Sequence, residues 1–500
     1  KCNRFTKMGR KQSATSPPRS TFSMKFSNNL SVGTIRQLAR KYDGKLLSRD
    51  EIDLNDHEFT SLLAASFFHP IEAIKVSLFQ AVCRRCNNQD WLLFANIPCT
   101  RCKRTHLYCR NCIQMGRMME CDFLYYWTGP SYKWEGYERA LTWDGELTLA
   151  QEKAAEKIVE TVKTKSELLV WAVTGAGKTE MLFPGIDTAL RLGNRICIAT
   201  PRTDVVRELS PRLKRAFQSV HIEALYSGSK DKDGTAQLII STTHQLLRFR
   251  QAFDVLIIDE IDAFPYHHDE TLQFAAKRAA KKEAALVYLT ATPRPEQKRL
   301  LNRKKLPHVF VPLRFHGYPL PVPKTVYCSS IKKHLSESNI PKQFLHWLKN
   351  REKESRQLLI FVPTIELGEK LQPIVAKICV DMNIVSKRKQ VASVHAEDKQ
   401  RENKINMFRK QQIKVLITTT ILERGVTFPE IDVVVLDASH EVFDEAALVQ
   451  IAGRAGRSNA DPTGEVVYFH DGKTNAIVSA IASIKEMNRR GEKLRLEGVI

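Results

Sequence analysis

The sequence predicts an α/β protein in which two parallel-sheet lobes stand in tandem behind a small cysteine-rich module. Three observations predict this fold class. Two series of short apolar runs alternate with amphipathic stretches, a basic Pro-rich stretch separates the two series, and paired cysteines precede them. Apolar runs of strand length between helical segments are typical of a parallel sheet covered on both faces. The 500 residues suit about three domains at the usual ~100–200 residues each.

The apolar runs set the expected domain boundaries. LLVWAV, RICIAT, LIIST, VLIIDE and LVYLTAT fall in a first lobe at 146–310, and LLIFVPT, VASVHAE, VLITTT, IDVVVLD and EVVYFH in a second at 325–475. Helical spacing in the last residues predicts a C-terminal helix at 476–500. Ahead of the lobes we expect a basic tail and a helical region at 1–80, then the cysteine module at 81–125.

Composition narrows the class of protein. Lys and Arg number 77 against 55 Asp and Glu, a net charge of +22, which favours a polyanionic partner: nucleic acid first, an acidic membrane surface second. No apolar run reaches the ~18–20 residues of a membrane span, so no transmembrane segment is expected. The N-terminal residues lack the apolar centre of a signal peptide, which predicts a cytoplasmic protein.

A phosphate-binding loop is the strongest local signal. AVTGAGKTE at 172–180 follows a predicted strand and precedes a helical stretch, so backbone amides can surround phosphate oxygens. Lys178 is placed to reach the β- and γ-phosphates of ATP and Thr179 to bind Mg²⁺. Further along, LIIDEID supplies Asp259 for the Mg²⁺ shell and Glu260 to orient or deprotonate water. The predicted ATP-binding residues of the loop are Thr174, Gly175, Ala176, Gly177, Lys178 and Thr179.

The order of motifs resembles that of a superfamily 2 helicase of the broader DEAD/DEAH-like group. LTLAQ, AVTGAGKT, DEID, ATPR, STTHQLL, TATP, LIFVPT, TTTILERGVTF and QIAGRAGR follow one another from about residue 146. The resemblance implies two RecA-like lobes, with Gln151 reading adenine. It also implies DNA contacts through hydroxyls and arginines that position a strand without reading its sequence. The implied contact residues are Arg202, Thr243, Thr419 and Arg424.

The last of these motifs predicts how the second lobe completes the ATP site. In QIAGRAGR, Arg454 and Arg457 lie three residues apart, on one side of a helical turn. Guanidinium groups supplied across a cleft stabilise charge on the γ-phosphate only when the lobes close. Gln450 stands where the strict DEAD-box type has histidine, and we include it in the predicted catalytic set with Glu260.

Three Cys-x-x-Cys pairs predict zinc binding, because clustered pairs in a large chain without a secretion signal argue for metal. In one arrangement a ribbon hairpin brings together Cys83, Cys86, Cys109 and Cys112, with Cys99 and Cys102 at its tip. A tighter ribbon would instead use the first four cysteines, Cys83, Cys86, Cys99 and Cys102. In a third arrangement two Zn²⁺ ions share the six paired cysteines with Cys121 and His106.

The cysteine module ahead of this motor resembles that of the ComFA family of late-competence ATPases. WAVTGAGKTEMLFPGI, IDEIDAFPY and ALVQIAGRAGR carry the resemblance, and the family's RC-x-x-C and YCR-x-C knuckles match Cys83/Cys86 and Cys109/Cys112. It implies a single-stranded-DNA translocase that drives incoming DNA into the cytoplasm. The implied partners are competence proteins at the uptake channel, with peripheral association at the inner face of the cell membrane. The alternatives are a replication-restart-type helicase, an ATP-gated assembly platform and an RNA helicase.

Overall fold

A computed structural model describes residues 31–423 and 428–496. The chain divides into two compact units, Lys1–Lys133 and Trp134–Ile500. In the described part of the first unit, residues 31–133, lie the helices α1 (Val32–Tyr42) and α2 (Asp56–Ala64). Its strands are short: β1 (Leu47–Ser48), β2 (Phe68–Glu72), β3 (Ile74–Val76), β4 (Ala81–Cys83), β5 (Phe94–Pro98), β6 (Thr105–Cys109), β7 (Met118–Met119) and β8 (Phe123–Trp127).

Aromatic side chains form the core of the first unit. A three-stranded sheet of order β1-β8-β2 carries α1 and α2 on a cluster that includes Tyr42, Phe59, Phe68 and Trp127. The rings of Tyr42 and Phe68 meet edge to face at 5.3 Å. The remaining strands form the β3-β4 pair and the antiparallel β5-β6-β7 sheet. The β5-β6 hairpin is the ribbon that the sequence predicts around the cysteines.

The first lobe of the second unit is a seven-stranded parallel sheet of order β11-β12-β10-β13-β14-β9-β15. Strands such as ICIAT are buried along their whole length, as expected of a sheet with both faces covered. Its strands are β9 (Glu167–Ala172), β10 (Ile196–Thr200), β11 (Ile222–Leu225), β12 (Leu238–Thr242), β13 (Phe253–Ile258), β14 (Ala280–Thr290) and β15 (His308–Val311). Its helices are α3 (Leu149–Thr164), α4 (Phe183–Arg191), α5 (Thr203–Ala216), α6 (Glu270–Ala279) and α7 (Pro295–Asn302).

The second lobe is a six-stranded parallel sheet of order β16-β21-β20-β17-β19-β18. Its strands are β16 (Lys324–Tyr327), β17 (Gln357–Phe361), β18 (Val391–Val394), β19 (Val415–Thr418), β20 (Ile431–Leu436) and β21 (Val466–His470). Its helices are α8 (Ile331–Ser336), α9 (Lys342–Lys349), α10 (Ile365–Asp381), α11 (Arg401–Arg409) and α12 (Glu445–Ala452), followed by the terminal α13 (Asn475–Leu496).

The predicted fold class of two tandem parallel-sheet lobes is confirmed. Because all strands of each sheet run the same way, their carboxyl ends meet at one edge. The predicted phosphate loop follows β9 and the acidic pair follows β13 at that edge of the first sheet. Across the described ranges, every helix is too short or too polar to cross a bilayer.

Candidate nucleotide site and cysteine clusters

The loop after β9 folds as a phosphate cradle. Gly175 and Gly177 have φ angles of 79° and 70°, in the left-handed region where glycine avoids the Cβ penalty. Gln151, at the start of α3, supports the loop: its Nε2 donates to the carbonyls of Ala176 at 2.9 Å and Gly177 at 3.4 Å. Its Oε1 accepts from the Thr148 amide at 2.8 Å. The residue expected to read adenine therefore has both ends of its amide engaged with the chain.

The acidic pair lies directly beside this loop. Asp259 follows β13, and its amide donates to Ala199 of β10 at 2.8 Å. Burial raises the pKa of Asp259 to about 6, against the attraction of Lys178, which lowers it. Glu260 takes a left-handed backbone conformation, with φ of 54°. Both carboxylates line the same cavity as the phosphate loop.

Two arginines of the second lobe reach this cavity from the end of α12. Arg454 is 1% exposed, and its Nε donates to the Glu423 carbonyl at 2.9 Å. The Nε of Arg457 donates to the Gly453 carbonyl at 3.0 Å. Burial lowers the pKa of both guanidinium groups, and the carboxylate of Glu260 opposes that shift in each. The sequence placed these arginines opposite the loop, and the structure brings the two sets together.

The cavity between the lobes has a volume of about 240 Å³. Two buried polar atoms on its wall, Thr174 Oγ1 and Gln450 Nε2, have no hydrogen-bond partner within the part of the chain that the structure describes. The cavity suits a nucleoside triphosphate with Mg²⁺, because it offers a glycine-rich cradle, a lysine, two arginines and buried polar atoms without partners among the described residues. Eleven predicted residues line it: Thr174, Gly175, Ala176, Gly177, Lys178, Thr179, Asp259, Glu260, Gln450, Arg454 and Arg457.

The structure adds two residues that the sequence analysis missed. Phe315 is 52% exposed and lines the cavity, offering an aromatic surface to a flat ligand. Its neighbour Arg314 is buried and donates to the carbonyls of Ala455 at 2.9 Å and of Gly456. Burial lowers the pKa of Arg314 to about 9. These residues lie in the basic Pro-rich stretch after the first lobe, where no motif marks them.

Gly453 of the second lobe packs closely against the phosphate loop of the first lobe. A methyl group there would overlap the side chain of Thr174 in the phosphate loop. We expect Gly453→Ala to block this closed arrangement and to lower kcat for ATP hydrolysis about a hundredfold, because small displacements of catalytic groups carry such costs. Nucleotide binding to the first lobe should persist. Steady-state hydrolysis and binding of a fluorescent ATP analogue measure the two effects.

Gly472→Ala is the matched control, because a Cβ at that position meets no atom within 4 Å. It should hydrolyse ATP at the rate of the unmodified chain. Full activity in Gly453→Ala would contradict the closed arrangement as the hydrolytic one.

The residues predicted to contact DNA differ in how much of their side chain is exposed. The Arg202 Nη2 donates to the carbonyl of Ile421 in the second lobe at 2.8 Å and pairs with Asp204 at 3.1 Å. Thr243 is fully buried and presents no surface to a strand in this arrangement. Thr419, just after β19, is half-buried. Arg424 lies outside the described residues.

Seven cysteines between Cys83 and Cys121 form two clusters among the described residues. Cys83, Cys86, Cys109 and Cys112 are buried with their Sγ atoms within 4.8 Å of one another, and the Cys83–Cys112 and Cys86–Cys109 sulfurs are 3.6 Å apart. The edge of a tetrahedral Zn–S₄ site is about 3.8 Å, so this set is compatible with zinc. The tighter ribbon with Cys99 and Cys102 as ligands to the same ion is wrong. Those two lie at the hairpin tip in a second cluster with Cys121.

The fold and site define the class of protein: a helicase-like ATPase with two RecA-like lobes. Family comparisons match a ComFA N-terminal domain at 31–126, the res subunit of type III restriction enzymes at 144–295 and a helicase C-terminal domain at 339–459. The chain is 45% identical to competence protein ComFA of Bacillus subtilis, over 92% of this chain and 96% of that protein. The chain therefore belongs to the ComFA family.

Two further relatives match the chain over different shares of their own length. Competence protein ComFA of Streptococcus pneumoniae is 35% identical over 90% of this chain and 98% of its own length. The ATP-dependent DNA helicase RecG of Synechocystis sp. is 26% identical, over 63% of this chain and 38% of that protein. The similarity to RecG stops short of the whole enzyme, whereas the similarity to the competence proteins spans nearly their full length.

Proposed function

We propose that this protein is an ATP-driven single-stranded-DNA translocase of the competence machinery, which pulls incoming DNA into the cytoplasm. The observation that carries the proposal is the closure of the second lobe on the phosphate loop, with Arg454 and Arg457 in the ATP cavity. Hydrolysis then depends on a state in which the lobes meet. A strand that lies across both lobes would stabilise that state and couple ATP turnover to DNA.

Within this proposal each residue of the cavity has a part. Lys178 binds the β- and γ-phosphates, and Thr179 and Asp259 hold the Mg²⁺ that neutralises phosphate charge. Glu260 orients or deprotonates the attacking water, and Arg457 stabilises charge on the transferred phosphoryl group. Arg454 and Gln450 support the closed state, and Phe315 packs against the base. Gln151 holds the loop in shape through Ala176 and Gly177.

A groove that crosses both lobes supports a nucleic-acid path. It has a volume of about 620 Å³ and takes Arg202 and Arg207 from the first lobe and Arg401 and Arg409 from the second. Ion pairs bridge it: Arg207 with Glu402 at 3.0 Å and Arg401 with Asp204 at 3.7 Å. The Arg207–Glu402 pair is exposed, and exposed pairs contribute at most about 1 kcal/mol, so a DNA phosphate can displace Glu402.

Phe264 gives this groove a stacking surface. It is 73% exposed, lines the groove and follows Glu260 by four positions. Base–aromatic stacking stabilises single strands by about 1–3 kcal/mol per base. We expect Phe264→Ala to weaken binding of a labelled single strand about 5- to 150-fold, as measured by fluorescence anisotropy in the presence of a non-hydrolysable ATP analogue.

Tyr327→Ala is the control, because Tyr327 is also an exposed aromatic, at 62%, on the edge strand β16. It should bind DNA as the unmodified chain does, and Phe264→Trp should retain most of the affinity. Unchanged binding in Phe264→Ala would remove this residue from the DNA path.

The test of the proposal is steady-state ATP hydrolysis with and without single-stranded DNA, at two salt concentrations, with Lys178→Ala as the inactive variant. Strong stimulation that falls with salt is expected, because phosphate contacts release counterions. Stronger stimulation of hydrolysis by RNA than by single-stranded DNA would indicate an RNA helicase. Strand displacement on forked duplexes would indicate a restart-type helicase. Hydrolysis indifferent to DNA would overturn the translocase and favour an assembly platform.

A further inference from the structure

A second cluster of sulfurs lies at the tip of the β5-β6 hairpin. Cys99 directly follows β5, Cys102 lies in the turn, and Cys121 lies between β7 and β8. Their three Sγ atoms lie within 4.8 Å of one another, and the Cys99–Cys121 separation is 3.7 Å. That distance matches the edge of about 3.8 Å in a tetrahedral zinc–thiolate site. Three thiols are therefore already at ligand spacing.

His106 provides a fourth group beside them. Its Nε2 lies 3.0 Å from the Cys102 Sγ, and its Nδ1 lies 3.5 Å from an oxygen of Glu120. A zinc-bound histidine characteristically gives its second ring nitrogen to a carboxylate, which fixes the tautomer and the ring orientation. Here Nε2 faces one thiol of the cluster and Nδ1 lies at ion-pair distance from Glu120. His106 is not in the set whose ligand atoms all lie within 4.8 Å of one another, so a zinc ion would draw its imidazole toward the other two sulfurs. The carboxylate behind the ring is the second observation that points to a metal.

We propose that Cys99, Cys102, Cys121 and His106 bind a second zinc ion, with Glu120 as the positioning residue for His106. Three thiolates and one imidazole are among the ligand sets of structural zinc sites, and thiolate-rich sites select Zn²⁺ over harder cations. One metal ion cannot bind the cysteines of both clusters. Cys109 of the first cluster lies at the far end of β6, and the five residues of this strand separate it from the hairpin tip by about 16 Å.

The second zinc would fasten the hairpin tip to the segment between β7 and β8. Around the tip, the Cys99 amide donates to Arg104 at 2.8 Å and the Lys103 amide to Cys99 at 2.9 Å, so the turn is already shaped. Arg101 reaches across to Asp122. A bound metal would add coordination bonds between these same two segments. Exposed Lys103 and Arg104 are then presented at a fixed position beside the site.

The sites differ in burial, which predicts different lability. All four cysteines of the first cluster are buried, whereas Cys102 is exposed and Cys121 is half-buried in the second. Solvent and chelators reach an exposed thiolate more readily than a buried one. A moderate chelator is therefore expected to remove the zinc at the tip while the first zinc stays in place.

The experiment is metal analysis of the purified full chain, prepared under reducing conditions without chelator. Two zinc ions per chain are expected, falling to one in Cys99→Ser/Cys102→Ser and in Cys121→Ser. His106→Ala should lose the second zinc on dialysis against a weak chelator, and His106→Cys should keep it, because cysteine is itself a zinc ligand. Cys328→Ala and His57→Ala, changed away from both clusters, should retain two.

Two readouts keep the result clear. Retention of the first zinc and an unchanged circular dichroism spectrum show that a variant still folds. With Co²⁺ in place of Zn²⁺, the unmodified chain should show the thiolate-to-metal absorption of the seven clustered thiolates. A variant that has lost the second site should show the absorption of the four thiolates of the first cluster. One zinc per chain, two zincs that survive loss of Cys99 and Cys102, or a Cys99–Cys121 disulfide in the freshly reduced chain would each overturn the proposal.

Discussion

Arg457→Ala is expected to lower kcat for ATP hydrolysis by about a thousandfold or more, the usual effect of removing an arginine finger. Arg457 reaches the cavity of Lys178 from the opposite lobe, so its guanidinium is positioned to meet charge that develops on the transferred phosphoryl group. Interactions made mainly in the transition state change kcat rather than ground-state affinity. The dissociation constant for ATP should therefore change little.

Single-turnover hydrolysis and binding of a fluorescent nucleotide measure the two quantities separately. Arg457→Lys should recover only part of the rate, because an ammonium group lacks the planar fork of guanidinium. Arg303→Ala, an exposed position after α7, serves as the control and should be fully active. A kcat within tenfold of the unmodified value in Arg457→Ala would remove this residue from the catalytic set.

Asp432→Ala is expected to destabilise the second lobe by about 3–5 kcal/mol. Asp432 lies in β20 with no exposed surface and accepts from Arg351 at 2.6 Å and Arg356 at 3.2 Å. It also accepts from the Glu465 amide at 3.0 Å. Loss of the Asp432 carboxylate leaves Arg351 without its charge partner, whereas Arg356 still pairs with Asp461. A buried charge without compensation is the costly element of a broken ion pair.

Hydrogen exchange of the β17 and β20 amides in the full chain measures this local stability. Protection there should fall by a hundredfold or more, as about 1.4 kcal/mol corresponds to each factor of ten. Asp381→Ala, at the exposed end of α10, should leave protection unchanged. The paired change of Asp432→Leu and Arg351→Met, which leaves Arg356 bonded to Asp461, should recover part of this stability. Protection unaltered by Asp432→Ala would show that the network contributes nothing to the lobe.

Local sequence was sufficient wherever the chemistry is local. AVTGAGKTE contains its own turn-forming glycines, its lysine and its hydroxyl, so the phosphate loop needed no distant partner to be predicted. The alternation of apolar runs fixed the two parallel sheets for the same reason, since burial on both faces requires apolar residues throughout each strand. The hairpin between the cysteine pairs followed from strand-length runs on either side of Cys99 and Cys102.

Sequence patterns do not specify which partners a side chain contacts in the fold. Gln151 was expected to read adenine, but its amide is already bonded to Thr148 and Ala176. Thr243 was expected at the DNA surface and is fully buried. A motif specifies the residue type, whereas the direction and burial of its side chain follow from the packing around it.

The sequence by itself determined the class of motor and the order of its parts, and it predicted residues that line one cavity between the lobes, because these reside in short motifs with their own backbone chemistry. Only the tertiary structure decided which distant groups meet. Arg314 bonds to carbonyls 141 and 142 positions away, and Cys121 joins Cys99 and Cys102 instead of the first cluster. Such long-range contacts depend on how whole strands and lobes pack against one another, and a local sequence pattern does not specify that packing.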